Sequence, residues 1–288
     1  MRELKIFGVV VFFTALIYIG VEPFAHSQMH PEVAPADFEF KDLPAISKSG
    51  DATKGAENFM NAGCVGCHGL KSQGMPAPMD DASASASFGV VPPDLSTAGA
   101  IYDSNFLAAL IKNPVHALKL EHKFNESKPH PMTQFYGLGG DIDQEIADIV
   151  AYLKSIAPKE LSDKEVFDSA CLRCHNMKYS KDFRSSDTVL LTKYMGSNPP
   201  DLSMMIRSKG KEYLENFINN PQRKLPGTAM PRVGLTKEAQ EQVISYIEKT
   251  GDRKKDERDS LGVKVIGFML IFTLLAYLWK VKIWREVH

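Results

Sequence analysis

The chain contains the pattern Cys-x-x-Cys-His twice, and the two copies use all four of its cysteines. Each copy is followed by Pro-Pro-Asp-Leu-Ser and then by an Asn-Pro pair. The three markers repeat at one spacing of 107 residues: Cys64 and Cys171 (171 − 64), Pro92 and Pro199 (199 − 92), and Asn113 and Asn220 (220 − 113). This constant register indicates two tandem copies of one folding unit. A chain of 288 residues is long enough for two such domains.

The residue types in the repeated pattern point to covalent attachment of c-type haem. Two thiols three positions apart can form thioether bonds to both vinyl groups of one porphyrin, and the adjacent histidine then lies beneath the iron. A thioredoxin-like pair needs a βαβ context that the sequence lacks, and zinc ribbons place their cysteine pairs much closer together. We therefore predict two covalent haem c groups, attached through Cys64, Cys67, Cys171 and Cys174 and ligated on the proximal side by His68 and His175.

Each iron also needs a sixth ligand, and two loop methionines are the best candidates. Met230 lies in Pro-Gly-Thr-Ala-Met-Pro, where flanking prolines can hold a thioether rigidly against the far face of a haem. Met132, in His-Pro-Met-Thr, is the corresponding choice in the first copy, although its loop lacks the Gly-Thr pair. Met75 and Met79 follow the first motif too closely to reach that face easily. Three histidines remain rivals for this iron: His116, His122 and His130.

Helical periodicity predicts an all-α fold, with no stretch that alternates as a strand would. A helix leads into each cysteine pair, capped by Asp51 or Thr53 in the first copy and by a Ser162–Glu165 capping box in the second. A short helix ends before each Asn-Pro. A last helix carries an apolar stripe, formed by Ile146, Ile149, Val150, Leu153 and Ile156 in one copy and by Val243, Ile244 and Ile247 in the other. Residues 80–87, which alternate Ala and Ser, are predicted to be a loop. The first copy has about nine extra residues around 118–130.

Apolar stretches near both ends predict attachment to a membrane. Residues 261–281 are apolar except for two lysines, and at about 1.5 Å per residue they span roughly 31 Å, a full hydrocarbon core. Residues 6–21 suit either a retained anchor or a cleaved signal peptide, and we favour the anchor because no small-x-small site clearly follows Gly20. Basic residues after the C-terminal stretch place both termini in the cytoplasm by the positive-inside rule.

These features divide the chain into seven segments. They are an N-terminal transmembrane helix or signal anchor (1–22), a linker (23–47), a first haem domain (48–158), a second haem domain (159–251), a charged linker (252–260), a C-terminal transmembrane helix (261–281) and a cytoplasmic tail (282–288). The linker 23–47 is predicted to be extended, and 252–260 to be a solvated spacer. The formal net charge of −1 gives no indication of nucleic-acid binding.

The order of the motifs resembles that of class I cytochrome c domains. Cys-x-x-Cys-His, Pro-Pro-Asp-Leu, Phe-Ile-x-Asn-Pro, Pro-Gly-Thr-x-Met-Pro and Val-Ile-x-Tyr-Ile follow that family's order in the second copy. The first copy departs from it in the methionine loop. The match covers roughly residues 50–251. It implies the family's compact helical fold around each haem, and a His/Met pair on each iron suits electron transfer rather than oxygen binding.

Tandem haem domains followed by an anchor and a basic tail resemble the two-haem cytochrome c1-type subunits of some bacterial quinol–cytochrome c reductases. The resemblance implies an electron-transfer subunit of the bacterial inner membrane, with periplasmic haem domains and no substrate chemistry of its own. It implies a hetero-oligomeric, dimeric complex that contains a cytochrome b subunit and a Rieske iron–sulfur protein as electron donor. The acceptor would be a soluble cytochrome c or a terminal oxidase.

Two other functions remain open. The two-haem subunit of a haem–copper terminal oxidase also carries tandem haem c, although such subunits usually have their membrane helices at the N-terminus. A haem peroxidase would need one iron with an open distal face and a nearby acid–base group. The longer loop around Met132 is the only place where the sequence could provide them.

Overall fold

The structure, a computed structural model, describes residues 2–29 and 35–287. Residues 1, 30–34 and 288 lie outside the described part, and they include pieces of the predicted anchor, linker and tail. The helices are α1 (Arg2–Ala15), α2 (Glu22–Met29), α3 (Ala52–Asn61), α4 (Asp81–Phe88), α5 (Ala98–Ile101), α6 (Ser104–Lys112), α7 (Pro114–Ala117), α8 (Ile142–Ile156), α9 (Asp163–Ala170), α10 (Thr188–Met195), α11 (Met205–Lys209), α12 (Lys211–Asn219), α13 (Pro221–Lys224), α14 (Lys237–Gly251) and α15 (Lys255–Val287). A π-helical turn, Leu16–Val21, joins α1 to α2, and three short 3₁₀ turns are Cys64–Gly66, Lys71–Gln73 and Lys178–Ser180.

The predicted all-α class is confirmed, because extended pairing among the described residues is limited to four isolated bridges. The repeat is also visible in the helices. The starts of α4, α6 and α7 precede those of α10, α12 and α13 by 107 residues each (188 − 81, 211 − 104 and 221 − 114). The last helices, α8 and α14, start only 95 residues apart (237 − 142). The extra chain of the first domain therefore lies between its Asn-Pro and its last helix, as predicted.

In each domain the helix before the cysteines packs against the last helix. Asp51 caps α3, and Ser162 and Glu165 form the predicted capping box on α9. The backbones of α3 and α8 approach so closely that a Cβ on Gly55 would lie 1.9 Å from the carbonyl oxygen of Asp148, which only glycine permits. The apolar stripes of both last helices are buried, apart from the half-buried Ile156. This pairing delivers each cysteine motif to the same side of its domain.

The prediction of a loop at 80–87 is wrong, because these residues form α4. The carboxylate of Asp80 accepts a hydrogen bond from the Ser83 amide at 2.8 Å, and Gly89 ends the helix with a φ of 79°. Ala84 and Ser85 are buried. Small side chains give no apolar stripe, yet alanine is the best helix former, and the helix forms where a cap at each end and one buried face support it.

The two predicted linkers are also more ordered than expected. Residues 22–29 continue the N-terminal helix as α2, and farther along Phe40 and Leu43 are buried against Phe106 of the first domain. The charged segment is helical from Lys255 onward and runs without a break into the C-terminal helix. Its opposite charges pair with one another, as in the two hydrogen bonds between Arg258 and Asp252 at 2.7 and 2.9 Å.

Two helical segments are long and apolar enough to cross a membrane. The most apolar 18-residue window has a mean hydropathy of 2.3 within residues 3–28 and of 2.2 within residues 255–285, and neither window is buried within the chain. The π-helical turn ends two residues before Pro23, which has no amide hydrogen and crowds the carbonyl four residues earlier. The ammonium of Lys280 lies 2.6 Å from the carboxylate of Glu3, so one ion pair joins the two segments.

The two domains share an interface that includes residues 85–91, 101–103 and 118–124 of the first domain and Arg173, 186–194 and 232–236 of the second. Gly234 accepts a hydrogen bond from Asp103 N at 3.0 Å, and Thr236 N donates to Ile101 O at 2.9 Å. The insertion of the first domain contributes directly, since the rings of Phe124 and Tyr194 lie 5.5 Å apart. Ile101 is counted in the buried core of the second domain. The domains therefore pack through apolar side chains as well as backbone hydrogen bonds.

Candidate haem-binding sites

Both cysteine motifs adopt the same turn at the end of a helix. In the first, His68 N donates to Cys64 O at 3.0 Å, and in the second, His175 N donates to Cys171 O at 3.0 Å. The second thiol of each pair lies within this turn, and its amide donates to the carbonyl of the first cysteine. One helical turn thus presents two thiols and an imidazole together, which is the arrangement that covalent haem attachment requires.

Each motif histidine is held through the ring nitrogen that faces away from the expected iron. The Nδ1 atom of His68 lies 2.8 Å from the carbonyl oxygen of Pro93, and that of His175 lies 2.8 Å from Pro200 O. A carbonyl only accepts, so Nδ1 carries the hydrogen and Nε2 keeps its lone pair for a metal. Burial lowers the pKa of both imidazoles, which opposes the raising effect of these hydrogen bonds, and the rings are neutral at pH 7. Neutral imidazole is the form that binds iron.

The repeated Pro-Pro-Asp-Leu-Ser sequence positions these carbonyls. In the first domain the carboxylate of Asp94 accepts hydrogen bonds from Ser96 N at 2.9 Å and Lys71 N at 3.2 Å. In the second domain Asp201 accepts from Ser203 N and Lys178 N, both at 3.1 Å. The aspartate therefore ties the proline turn to the segment that follows the histidine. In the sequence this motif served as a repeat marker and as part of the family resemblance, and its structural role was not predicted.

The thiols lie in apolar surroundings suited to a porphyrin edge. All four cysteines are half-buried and free of disulfides. Burial raises the pKa of Cys171 to about 12, and it also raises the pKa of Cys64 and Cys174. These three thiols are therefore uncharged at pH 7, and their environment disfavours charge.

The two predicted sixth ligands are half-buried methionines on loops. Among the described residues, neither Met132 nor Met230 belongs to the four buried apolar clusters. Other methionines behave as packing residues: Met177 and Met195 are buried, and Met75 packs against the cluster around Phe59. The position of Met132 and Met230 outside the cores suits a ligand better than a packing residue, and their ligation remains a prediction.

The histidine rivals in the first domain are already engaged or exposed. His116 is exposed, and its Nδ1 lies 2.9 Å from the carboxylate of Glu121. His130 Nδ1 lies 3.2 Å from Met132 N and 3.1 Å from Met132 O, so this ring is fixed on the backbone of the methionine itself. His122 is exposed. Exposure disfavours His116 and His122, whereas His130 is held through Nδ1 as the motif histidines are, keeps Nε2 for a metal and remains a rival of Met132.

Buried cationic groups give an independent test of whether a haem fits. The Nε atoms of Arg173, Arg184 and Arg232 are buried without a hydrogen-bond partner, as is Nη1 of Arg232. Arg173 lies inside the second motif, and Arg232 follows Met230 by two residues. Buried guanidinium groups without partners are costly unless an anion pairs with them. Arg232 already pairs through Nη2 with Asp42 at 2.7 Å, whereas the contacts of Arg173 and Arg184 are to a carbonyl and an amide oxygen. A haem carries two carboxylates, so Arg173 and Arg184 fit it best, although no local sequence pattern singled them out.

The fold and the repeated cysteine–histidine motif together define a protein with two tandem domains of the cytochrome c class. The family model described as cytochrome c matches residues 52–157 and 164–251. The chain belongs to the cytochrome c family.

Two similar proteins give the scale of this relationship. The chain is 34% identical over 95 residues to the protein named cytochrome c type-1 from Ascaris suum, which covers 30% of this chain and 84% of that protein. That relative therefore corresponds in size to a single domain. A chain of a solved hyperthermophilic respiratory Complex III aligns over 100% of this chain and 98% of its own length, with 18% identity and a TM-score of 0.33. So low a score does not establish a common arrangement, and the family assignment stands on the domain matches.

Proposed function

We propose that the chain is the membrane-anchored, two-haem electron-transfer subunit of a respiratory quinol–cytochrome c reductase of the cytochrome c1 type. It takes electrons from a Rieske iron–sulfur protein and passes them to a soluble cytochrome c or an oxidase. A cytochrome b subunit binds the quinol, and the assembly is a dimer of hetero-oligomers in a bacterial inner membrane.

The observation that carries this proposal is the identical support of the two motif histidines. His68 and His175 each have Nδ1 at 2.8 Å from a proline carbonyl, 25 residues farther along the chain in both domains. A bound haem supplies one-electron redox chemistry at its iron. The chain's own residues hold the imidazole tautomer, attach the porphyrin through Cys64, Cys67, Cys171 and Cys174, and offer Met132 and Met230 as sixth ligands. With both methionines as ligands the iron would have no open position for substrate, which would favour a carrier over a peroxidase.

The terminal helices support the anchored arrangement. The ion pair between Glu3 and Lys280 joins the start of one apolar segment to the end of the other, which supports a placement of both termini on the same side of a membrane. The basic residues after 281 assign that side to the cytoplasm. The haem domains, which lie between the two segments in sequence, are then periplasmic.

Purification from native membranes tests the assignment to a complex. The full-length protein should co-elute with a cytochrome b and an iron–sulfur protein, and a pyridine haemochrome assay should give two haem c per chain. Co-elution with a copper-containing oxidase subunit instead would assign the chain to a terminal oxidase. One haem per chain would overturn the two-haem assignment itself.

Single methionine variants test the sixth ligands. Met230→Ala and Met132→Ala should each remove the weak sulfur-to-iron charge-transfer band from one of the two haems, because alanine has no thioether. Met60→Ala is the matched control, since Met60 is exposed and lies before the first motif. An unchanged band in either ligand variant would show that this methionine is not a ligand.

A further inference from the structure

Arg173 lies inside the second cysteine motif but reaches into the first domain. Its Nη1 donates to the carbonyl oxygen of Val91 at 3.4 Å. Val91 N in turn donates to Ser186 Oγ at 3.0 Å, and Ser186 N donates to Arg173 O at 3.3 Å. The three residues form a closed ring of hydrogen bonds across the domain interface. Val91 lies two residues before Pro93, whose carbonyl holds His68.

This contact brings a permanent charge close to the first proximal histidine. A guanidinium stays protonated at any physiological pH. The carbonyl that Arg173 contacts, Val91 O, lies two residues before the Pro93 carbonyl bonded to His68 Nδ1. The Nε atom of Arg173 is buried without a hydrogen-bond partner, so its charge is only partly neutralised by contacts within the chain. The second domain thus places a guanidinium next to the loop that supports the first haem site.

The second site obtains a similar charge from its own domain. Arg184 N donates to the Oδ1 atom of Asn176, the residue directly after His175, at 2.8 Å, and its Nη1 donates to Asn198 Oδ1 at 2.9 Å. Its Nε is also buried without a partner. In the first domain, the positions that correspond to Arg173 and Arg184 at the spacing of 107 residues are Gly66 and Ala77 (173 − 107 and 184 − 107). Neither can supply a charge. Arg173 therefore supplies a positive charge to the first site, as Arg184 does to the second.

We propose that Arg173 is a positioning residue through which the second domain raises the reduction potential of the first haem. The inference rests on the proposed binding of two haems. Reduction adds one electron, supplied by the redox partner, to ferric iron, and the arginine neither gains nor loses a proton. A nearby positive charge favours the reduced state because it attracts the added electron. The ring of hydrogen bonds holds this charge at a fixed distance from the loop that supports His68.

The magnitude follows from Coulomb's law. A unit charge roughly 12 Å from a redox centre, in a medium of effective dielectric constant about 20, changes an equilibrium about tenfold. For a one-electron couple a tenfold change corresponds to about 59 mV. This is large enough to measure by optical redox titration of the purified, detergent-solubilised holoprotein.

The test compares charge removal with charge retention. Arg173→Gln should lower the equilibrium constant for reduction of the first haem by about tenfold, and Arg173→Lys should restore most of that loss. Ser186→Ala breaks the same ring of hydrogen bonds but keeps the charge of Arg173. It should leave the equilibrium constant for reduction of the first haem within about twofold of the wild type. Arg184→Gln should instead lower the reduction potential of the second haem. The couples are assigned in a Met230→His background, in which replacing the methionine lowers the second haem's potential.

Two outcomes would overturn the inference. In the first, the reduction potential of the first haem is the same in Arg173→Gln as in the wild type. In the second, this potential falls equally in Arg173→Gln and Arg173→Lys, which would assign the effect to hydrogen bonding rather than charge. The haemochrome assay on the same samples separates this failure from a failure of the proposed function. Two haems per chain with unmoved potentials would leave the carrier assignment intact.

Discussion

Replacement of Phe40 tests whether the segment before the first haem domain is part of the folded structure. This ring is only 1% exposed and packs 5.7 Å from Phe106, centroid to centroid. Its face also receives the guanidinium of Arg232 from the second domain, 5.5 Å from the ring centroid. Phe40 therefore connects the lead-in to both haem domains. An extended, solvated linker would tolerate its removal.

The expected cost of Phe40→Ala follows from this burial. Truncating a fully buried phenylalanine costs about 3–5 kcal/mol, because the transfer free energy is lost and a cavity remains. For a unit of about 200 residues, this is about 6–20 °C in Tm. Thermal unfolding of the detergent-solubilised holoprotein, followed by haem absorbance and by circular dichroism, measures the change. Phe183→Ala is the control, because Phe183 is 63% exposed.

The reasoning would be refuted by a Tm for Phe40→Ala within about 2 °C of the wild type, which corresponds to less than about 1 kcal/mol. It would equally be refuted if the exposed control lost as much stability. A normal haem content in both variants would show that the comparison reports packing rather than failed haem attachment.

Two further changes test the domain interface. Partial burial raises the pKa of Asp42, but hydrogen bonds from two basic side chains, Arg232 foremost, lower it to about 2. Its stabilising effect is therefore complete above about pH 4 and disappears as the pH falls toward 2. Asp42→Asn should cost about 1 kcal/mol at pH 7, after allowance for solvent screening, and chemical denaturation should find no difference from the wild type near pH 2. A difference in unfolding free energy between Asp42→Asn and the wild type that persists at pH 2 would contradict this. Gly234→Ala should destabilise by about 1–3 kcal/mol more than Gly74→Ala. Both glycines have positive φ, but only at Gly234 would a Cβ meet another side chain, at 2.0 Å from the ring of Phe106. Equal losses of Tm would show that the interface relaxes around the added methyl group.

Local features of the chain were predictable because their physical causes are local. The capping box at Ser162 and Glu165 and the apolar stripes of the last helices depend on spacings of three or four residues, which the sequence displays directly. The Ala/Ser stretch failed as a prediction because α4 is stabilised by buried contacts of Ala84 and Ser85, not by a pattern of its own. The burial of Phe40 was missed for the same reason.

The insertion in the first domain illustrates the difference most clearly. From the sequence it raised only the question of which side chain ligates the first iron. In the structure, residues of this insertion form part of the domain interface, where Leu118 O accepts a hydrogen bond from Arg232 N at 3.0 Å and Phe124 meets Tyr194. A loop that broke the repeat at the level of sequence is thus a means of joining the two domains.

The sequence by itself determined that there are two cysteine–histidine motifs in one repeated unit, and that the fold is helical. Covalent haem attachment needs residues at fixed short spacings, and such spacings can be recognised in a single sequence. Only the tertiary structure decided what surrounds each histidine. The carbonyls of Pro93 and Pro200 lie 25 residues beyond the histidines they hold, and Arg173 reaches its partner Val91 from the other domain. These contacts join residues that are distant in sequence, so they arise from packing and leave no periodic pattern in the chain.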